Sequence, residues 1–92
     1  MEAPTPGAAG SYIVVAGVVY GPPASPVLGN GLFCCVDCAE GEVRELTRKI
    51  GEREGGSLLA LRFRGRPVGF VVTIGRVWAV QVHAPHELPN VH

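Results

Sequence analysis

The sequence lacks an excess of charge of either sign, a long apolar run and any sign of a targeting segment. Its 92 residues carry eight Lys and Arg against eight Asp and Glu, so the formal net charge is zero. Clustered cations supply the affinity for phosphate, and their scarcity argues against nucleic acid as a main partner. The apolar stretch IVVAGVVY is far shorter than the ~20 residues that span a bilayer, and no Lys or Arg precedes it as in a signal peptide. We therefore expect no membrane association.

The sequence also lacks a disulfide framework, because its three cysteines are an odd number crowded into CCVDC. We expect a reduced, intracellular protein of the cytoplasm or nucleus. On a strand, Cys34 and Cys38 share one face and Cys35 lies opposite, so the three thiols would not converge on a metal ion. The favoured interpretation is core or half-buried thiols, and a metal or redox site is the alternative.

Arrangements typical of catalysis are missing as well. The sequence has no Ser-His-Asp pattern, no glycine loop that cradles phosphate and no paired carboxylates outside one helical segment. The histidines fall within the last ten residues, with no pattern that fixes a ligand geometry: His83, His86 and His92. We expect that the protein is not an enzyme and that it binds no metal and no other cofactor.

What the sequence does contain is one helical period among stretches with a strand pattern. Residues 40–54, EGEVRELTRKIGERE, place Val43, Leu46 and Ile50 on one stripe, and the glycine pair at 55–56 ends the helix. The predicted strands are rich in β-branched and aromatic residues or alternate between apolar and polar side chains. They cover residues 11–20, 32–38, 57–64, 67–75 and 76–83.

The element order, β-β-α-β-β-β, predicts an α+β fold. It is the layout of a β-grasp, in which one amphipathic helix packs across a mixed sheet. A generic α+β sandwich and a small open barrel are the alternatives. We expect a domain at 11–83, a flexible Pro- and Gly-rich leader at 1–10 and a C-terminal tail at 84–92. The spaced apolar residues Leu88 and Val91 favour a tail that binds a partner, and a frayed terminus is the alternative.

A basic group, Arg62, Arg64 and Arg66, lies on one predicted strand and the turn after it. Alternation places the first two side chains on a single solvent face. Contact with nucleic acid through these three arginines, by an unrelated small α+β domain, is the alternative function. The simpler interpretation is a solvated face that hinders aggregation at the sheet edge.

Two stretches resemble known families. RKIGEREGGSLLALRFRGRPV (48–68) resembles the ubiquitin-like helix and the strand after it. VGFVVTIGRVWAVQVHAPHELPNV (68–91) resembles the C-terminal part of elongin B, whose tail reads Pro-Glu-Leu-Pro-Asp-Val; here Asn90 replaces the acid and His86 replaces a proline. The Pro-rich loop at 21–31 and the short segment before the last two strands depart from that family. The chain thus resembles a diverged and shortened relative of elongin B.

The resemblance implies a non-catalytic adaptor. Elongin B pairs with elongin C, and the pair links substrate receptors to a cullin-RING ubiquitin ligase and also belongs to a transcription elongation factor. Elongin C or an equivalent protein is therefore the expected partner, and the missing terminal Gly-Gly argues against conjugation to targets. The residues expected to bind the partner come from the last strand and the tail: Trp78, Val80, Val82, Pro85, Glu87, Leu88, Pro89 and Val91.

Overall fold

The computed structural model describes residues 12–84, which form a five-stranded sheet with one α-helix across one face. The predicted leader at 1–10 and nearly all of the predicted tail, 85–92, lie outside the described residues. Within the described chain, no helix is long and apolar enough to cross a membrane. The elements are β1 (Ile13–Tyr20), β2 (Val27–Leu28), a 3₁₀ turn (Asp37–Ala39), α1 (Glu40–Glu54), β3 (Ser57–Phe63), β4 (Arg66–Thr73) and β5 (Arg76–His83).

Helix α1 has the bounds that the sequence predicts. Acidic side chains occupy its first turn, where the positive end of the helix dipole favours them. Gly55 follows the last helical residue with φ of 72°, a left-handed conformation that costs least in glycine. The amides of Gly55 and Gly56 both donate to the Gly51 carbonyl, at 2.8 and 3.2 Å. The predicted end of the helix is therefore confirmed.

The buried side of α1 includes more than the predicted apolar stripe. Val43, Leu46 and Ile50 are buried as expected, and Thr47 and Gly51 are buried with them. The Thr47 hydroxyl is satisfied because it donates to the Val43 carbonyl at 2.6 Å. A Cβ atom built on Gly69 would lie 2.0 Å from that hydroxyl oxygen. The helix therefore lies close against the backbone of β4.

The sheet has the strand order β2-β1-β5-β4-β3, and each of its pairings is antiparallel. The α+β class, with one helix and a five-stranded sheet, is confirmed. The mixed sheet is wrong, because β1 runs opposite to β5, with Ile13 facing His83. Two-residue turns at 64–65 and 74–75 join the last three strands, and such short turns connect only antiparallel neighbours.

The second strand is not where the sequence predicts it. β2 is Val27–Leu28, inside the predicted loop, whereas the predicted strand at 32–38 contributes only a bridge between Phe33 and Tyr12. After Phe33 the chain bends into the 3₁₀ turn that leads to α1. Apolar and β-branched residues suggested a strand there, but Asp37 sits where an acid favours the start of a helix. The helix-start signal prevails over strand propensity.

The two faces of the sheet have different environments. The covered face packs against α1 and supplies most of the buried core: Val14, Ala16, Val71, Trp78, Val80 and Val82. The strand register and the alternation of side chains place a second set of apolar residues on the opposite side. We call this side the open face: Val15, Leu59, Leu61, Phe63, Val68, Phe70, Val72, Val77 and Ala79. Among the described elements, the only helix lies on the covered face.

Candidate functional site: the open face and the edge strand

The open face exposes large apolar side chains along β3 and its neighbour β4. Relative exposure is 52% for Leu59, 39% for Leu61 and 60% for Phe63. Val72 on β4 is exposed to 45%. Single exposed apolar residues are ordinary on a protein surface, but a contiguous patch of them typically marks an interaction site.

A groove of about 380 Å³ lies within this patch. Its lining is mainly apolar, and it lies where β3, β4 and β5 are adjacent: Leu61, Phe63, Val68, Phe70 and Gln81. The lining residues are held in position because Leu61 pairs with Val68 across the β3–β4 ladder and Val68 pairs with Gln81 on β5. The groove is suited to apolar side chains from another segment of chain.

Strand β3 lies at the edge of the sheet. It pairs with β4 over all seven of its residues, Ser57–Phe63, and its other side has no strand neighbour among the described residues. Proteins usually protect such an edge with charged residues, Pro or a bulge. The one charged side chain on β3, Arg62, is held in ion pairs with Asp37 and Glu40. The edge therefore combines apolar side chains with backbone groups that are not paired with another described strand.

The charges near the open face are positive. Every acidic residue in the described chain lies in the 3₁₀ turn or in α1, on the helix side of the molecule. Arg64, in the turn after β3, places its guanidinium 5.3 Å from the centroid of the Phe63 ring. Among the described residues Arg64 forms no ion pair. One end of the open face therefore presents an uncompensated positive charge next to an exposed aromatic ring.

The structure separates the arginines that the sequence groups together. Arg62 belongs to the helix side, where it contacts Asp37 at 2.8 Å and Glu40 at 3.4 Å and donates to the Gly65 carbonyl at 2.7 Å. Its contact with the Asp37 carboxylate raises the pKa of the guanidinium. Arg64 lies beyond the end of β3 with φ of 55°, so strand alternation does not apply to it. The prediction of one shared solvent face for these two side chains is wrong.

The residues predicted to bind a partner fall into two groups. Trp78, Val80 and Val82 lie on the covered face, and the Trp78 side chain is completely buried under α1. Arg53 of the helix lies over its indole ring, with 5.3 Å between the guanidinium carbon and the centroid. These three side chains are therefore core residues, and a partner cannot reach them in this structure. The other predicted residues lie outside the described part of the chain, where the assignment stays a prediction: Pro85, Glu87, Leu88, Pro89 and Val91.

The cysteine segment also differs from its prediction. The three thiols are exposed, not core or half-buried, and they do converge. The Cys38 sulfur lies 3.4 Å from that of Cys34 and 3.3 Å from that of Cys35. The strand geometry that would have separated them is absent, because the segment bends after Phe33 and enters the 3₁₀ turn.

The thiols differ in acidity. The Cys38 amide donates to the Cys35 sulfur at 3.4 Å, and this hydrogen bond is the main reason why the pKa of Cys35 is lowered. The pKa of Cys38 is raised to about 12, chiefly because its thiol is hydrogen-bonded to Cys35 and then to Cys34. A negative charge in this group is therefore stabilised on Cys35.

The sequence shows which side chains of β3 share the open face, but not that this face is exposed. Leu59, Leu61 and Phe63 alternate with polar or small residues, so they share one face. The sequence does not say which face meets the helix, and we assigned solvent to the side of the arginines. Gly69 offered a signal, because a glycine within a strand often marks close approach of another backbone.

Comparisons with known proteins do not assign the chain to a family. No protein-family model matches it, and no curated protein or solved structure is significantly similar to it. The relationship to elongin B therefore stays a prediction based on the sequence resemblance.

Proposed function

We propose that this chain is a non-catalytic interaction module that binds a protein partner through the open face and along the free edge of β3. The observation that carries the proposal is the exposure of Leu59, Leu61 and Phe63 next to that free edge. An edge strand that is both apolar and unpaired is prone to aggregation unless another chain covers it. A partner that adds a strand to β3 satisfies the backbone groups and buries the apolar side chains together.

The charge distribution indicates the chemistry of the partner. The partner presents an extended apolar segment to the groove beside Phe63, and a carboxylate lies next to that segment. The carboxylate pairs with Arg64, whose charge is not compensated among the described residues. Like-charged segments are disfavoured at this end of the sheet, so Arg64 contributes to the choice of partner and to the rate of association.

Elongin C or an equivalent protein is the specific partner that the sequence resemblance implies. Membership of a cullin-RING ligase or a transcription elongation complex, inside the cell, follows from that partner and belongs to the same proposal. So does the ubiquitin-like β-grasp assignment, although the antiparallel sheet departs from the mixed sheet of that fold. The open face supports an interaction module whether or not the partner is elongin C.

Nucleic acid is a weaker candidate because the three arginines do not form one basic surface. Arg62 is already paired with two carboxylates on the helix side, while Arg64 lies at the Phe63 end of the open face. Phosphate binding depends on several cations acting together. We therefore prefer a protein partner.

The test places a photo-crosslinking amino acid at Leu59 and, as a control, at Lys49 on the exposed side of α1. Purified elongin C is the first probe, and proteins crosslinked in cells are identified and then purified for binding measurements. We expect a partner that crosslinks from position 59 and not from position 49, at a segment that is apolar and acidic.

Matched variants then decide whether the open face carries the binding. The double variant Leu61→Ser and Phe63→Ser removes two apolar contacts, whereas Ile74→Ser removes a fully exposed apolar side chain from the β4–β5 turn. We expect the double variant to weaken binding at least ~10-fold, because anchor residues typically contribute more than about 1 kcal/mol each. Ile74→Ser retains wild-type affinity. If the partner binds the double variant with wild-type affinity, the proposal is contradicted. If the chain instead forms a stable dimer through β3, the partner is a second copy of the chain.

A further inference from the structure

We propose that Cys34, Cys35 and Cys38 form a binding site for one soft metal ion, Zn²⁺ or Cu⁺. The three sulfur atoms all lie within 4.8 Å of one another, and Cys38 lies 3.3 to 3.4 Å from each of the other two. Thiolate groups select these ions over harder cations such as Mg²⁺ and Ca²⁺. The expectation of no metal depended on a strand that separates the thiols, and the structure does not contain that strand.

The spacing of the sulfur atoms matches the size of such an ion. Zinc–thiolate bonds are about 2.3 Å long, which places sulfur atoms about 3.8 Å apart around a tetrahedral ion. Two of the separations, 3.3 and 3.4 Å, are slightly shorter than that value, and the third is no longer than 4.8 Å. Rotation of exposed side chains closes the difference without movement of the backbone, because all three thiols are accessible to solvent.

The backbone around the thiols is fixed on both sides. Before the site, Phe33 exchanges two hydrogen bonds with Tyr12, at 2.9 and 3.0 Å. After it, the 3₁₀ turn is joined to α1 and its Asp37 is held by Arg62 at 2.8 Å. A site whose ligands are positioned before the metal arrives loses less conformational entropy on binding.

One backbone group next to the sulfurs supports a deprotonated ligand at Cys35. Metal ions bind the thiolate form, so anything that stabilises a negative charge on sulfur supports coordination. The Cys38 amide donates to the Cys35 sulfur, which is the kind of supporting hydrogen bond that orients a metal ligand.

The described residues supply three ligands to this site and no fourth His, Cys, Asp or Glu. Cu⁺ is satisfied by three thiolates, whereas Zn²⁺ takes a fourth ligand, for which solvent is available at an exposed site. The shared chemistry is a soft ion held by three thiolates, and separate titrations distinguish the two ions.

The experiment uses the full chain, reduced and freed of metal under anaerobic conditions. Zn²⁺ and Cu⁺ are titrated separately in competition with a coloured chelator for each ion, and Co²⁺ serves as a spectroscopic substitute for Zn²⁺. We expect one ion per chain, thiolate-to-cobalt charge-transfer absorption and X-ray absorption dominated by three sulfur neighbours.

Single variants Cys34→Ser, Cys35→Ser and Cys38→Ser should each weaken binding at least about 100-fold, the upper end of what loss of a supporting residue costs. Glu52→Gln, which removes an acidic group on the far end of α1, should bind normally. Circular dichroism checks that the variants fold. If one does not, blocking the thiols of the folded wild-type protein with N-ethylmaleimide should abolish binding.

Several results would overturn the proposal. Binding by the serine variants as tight as that of the wild type would show that the thiols are not the ligands. One ion per two chains would place the site between molecules. A failure of the reduced protein to bind either ion, together with rapid formation of a Cys35–Cys38 or Cys34–Cys38 disulfide in air, would assign the cluster to redox chemistry instead.

Discussion

On the covered face of the sheet, Val71, Trp78 and Val80 are buried against α1, whereas on the open face Leu59 and Phe63 are more than half exposed. Both faces are apolar, and their strands are the same. The difference lies in what is placed above them, since the single described helix covers one side only. The apolar composition of a strand therefore predicts that both its faces will be buried. It does not show whether each face is covered by the same chain or by another one.

The contacts of the arginine side chains also differ between the two faces. On the helix side, Arg44, Arg48 and Arg62 each contact a carboxylate within 2.8 Å. At the open face, Arg64 contacts an aromatic ring instead. The covered side is satisfied by contacts within the chain, whereas the open side retains exposed apolar surface and an arginine that has no ion pair among the described residues.

Truncation of the largest core residue is the strongest test of this difference. Trp78→Ala should destabilise the domain by about 3–5 kcal/mol, which is most of the stability of a small domain. The exposed Phe63→Ala should change the free energy of unfolding by no more than about 0.5 kcal/mol. Urea unfolding followed by circular dichroism measures both. Similar losses for the two variants would show that the open face is part of the core.

Glycine-to-alanine exchanges compare the space on the two faces with a single added methyl group. Gly69→Ala places a Cβ against Thr47 under the helix, and we expect a loss of about 1–3 kcal/mol from overpacking. Gly17 lies on the open side of β1, opposite Ala79, and a Cβ there meets no described atom within 4 Å. Gly17→Ala should therefore gain roughly 0.5–1 kcal/mol, because alanine has less freedom to lose on folding.

Denaturation curves of the two glycine variants provide the measurement. Equal destabilisation by both would indicate that the open side of β1 is as tightly packed as the interface with α1. Gly41→Ala in the first turn of α1, where a Cβ also meets no described atom within 4 Å, controls for the general effect of the exchange.

The difference between the two faces also explains which features of the fold could be predicted from the sequence. The ends of α1 were predictable because Val43, Leu46 and Ile50 have the helical period and Gly55 ends it, both of which are local signals. The side of β3 that meets the helix is not local. It depends on how Thr47 packs against Gly69, two residues 22 positions apart in the chain. Alternation sorted the side chains of β3 correctly into two sets and could not tell which set is covered.

The cysteine site shows a second limit. The residue types of LFCCVDC favour a strand, and a strand separates the thiols of Cys34 and Cys35. Asp37 and the helix that follows it turn the segment instead, and the thiols converge. An error about the backbone of a few residues thus made the prediction about the positions of the thiols wrong.

Removal of one arginine from the helix side and one from the open face should change the stability less than the core and glycine exchanges do. Arg62→Ala breaks the contacts with Asp37 and Glu40, so we expect a slightly lower melting temperature at low ionic strength and a smaller difference in 1 M salt, which screens exposed pairs. Arg64→Ala should leave the melting temperature unchanged in both conditions. Thermal unfolding at the two salt concentrations checks this, and a salt-dependent loss for Arg64→Ala would reveal an ion pair at the open face.

The smallest effect on stability is expected from the open face itself. The double variant Leu61→Ser and Phe63→Ser should unfold within about 0.5 kcal/mol of the wild type, because its side chains are exposed before and after the exchange. It should nevertheless bind less of a dye that reports exposed apolar surface, such as anilinonaphthalene sulfonate, and self-associate less at high concentration. Dye fluorescence and sedimentation are measured beside Ile74→Ser, which removes an isolated exposed side chain. If both variants reduce dye binding equally, the patch has no special role; if only the double variant does, the apolar surface left uncovered by this fold is concentrated beside β3.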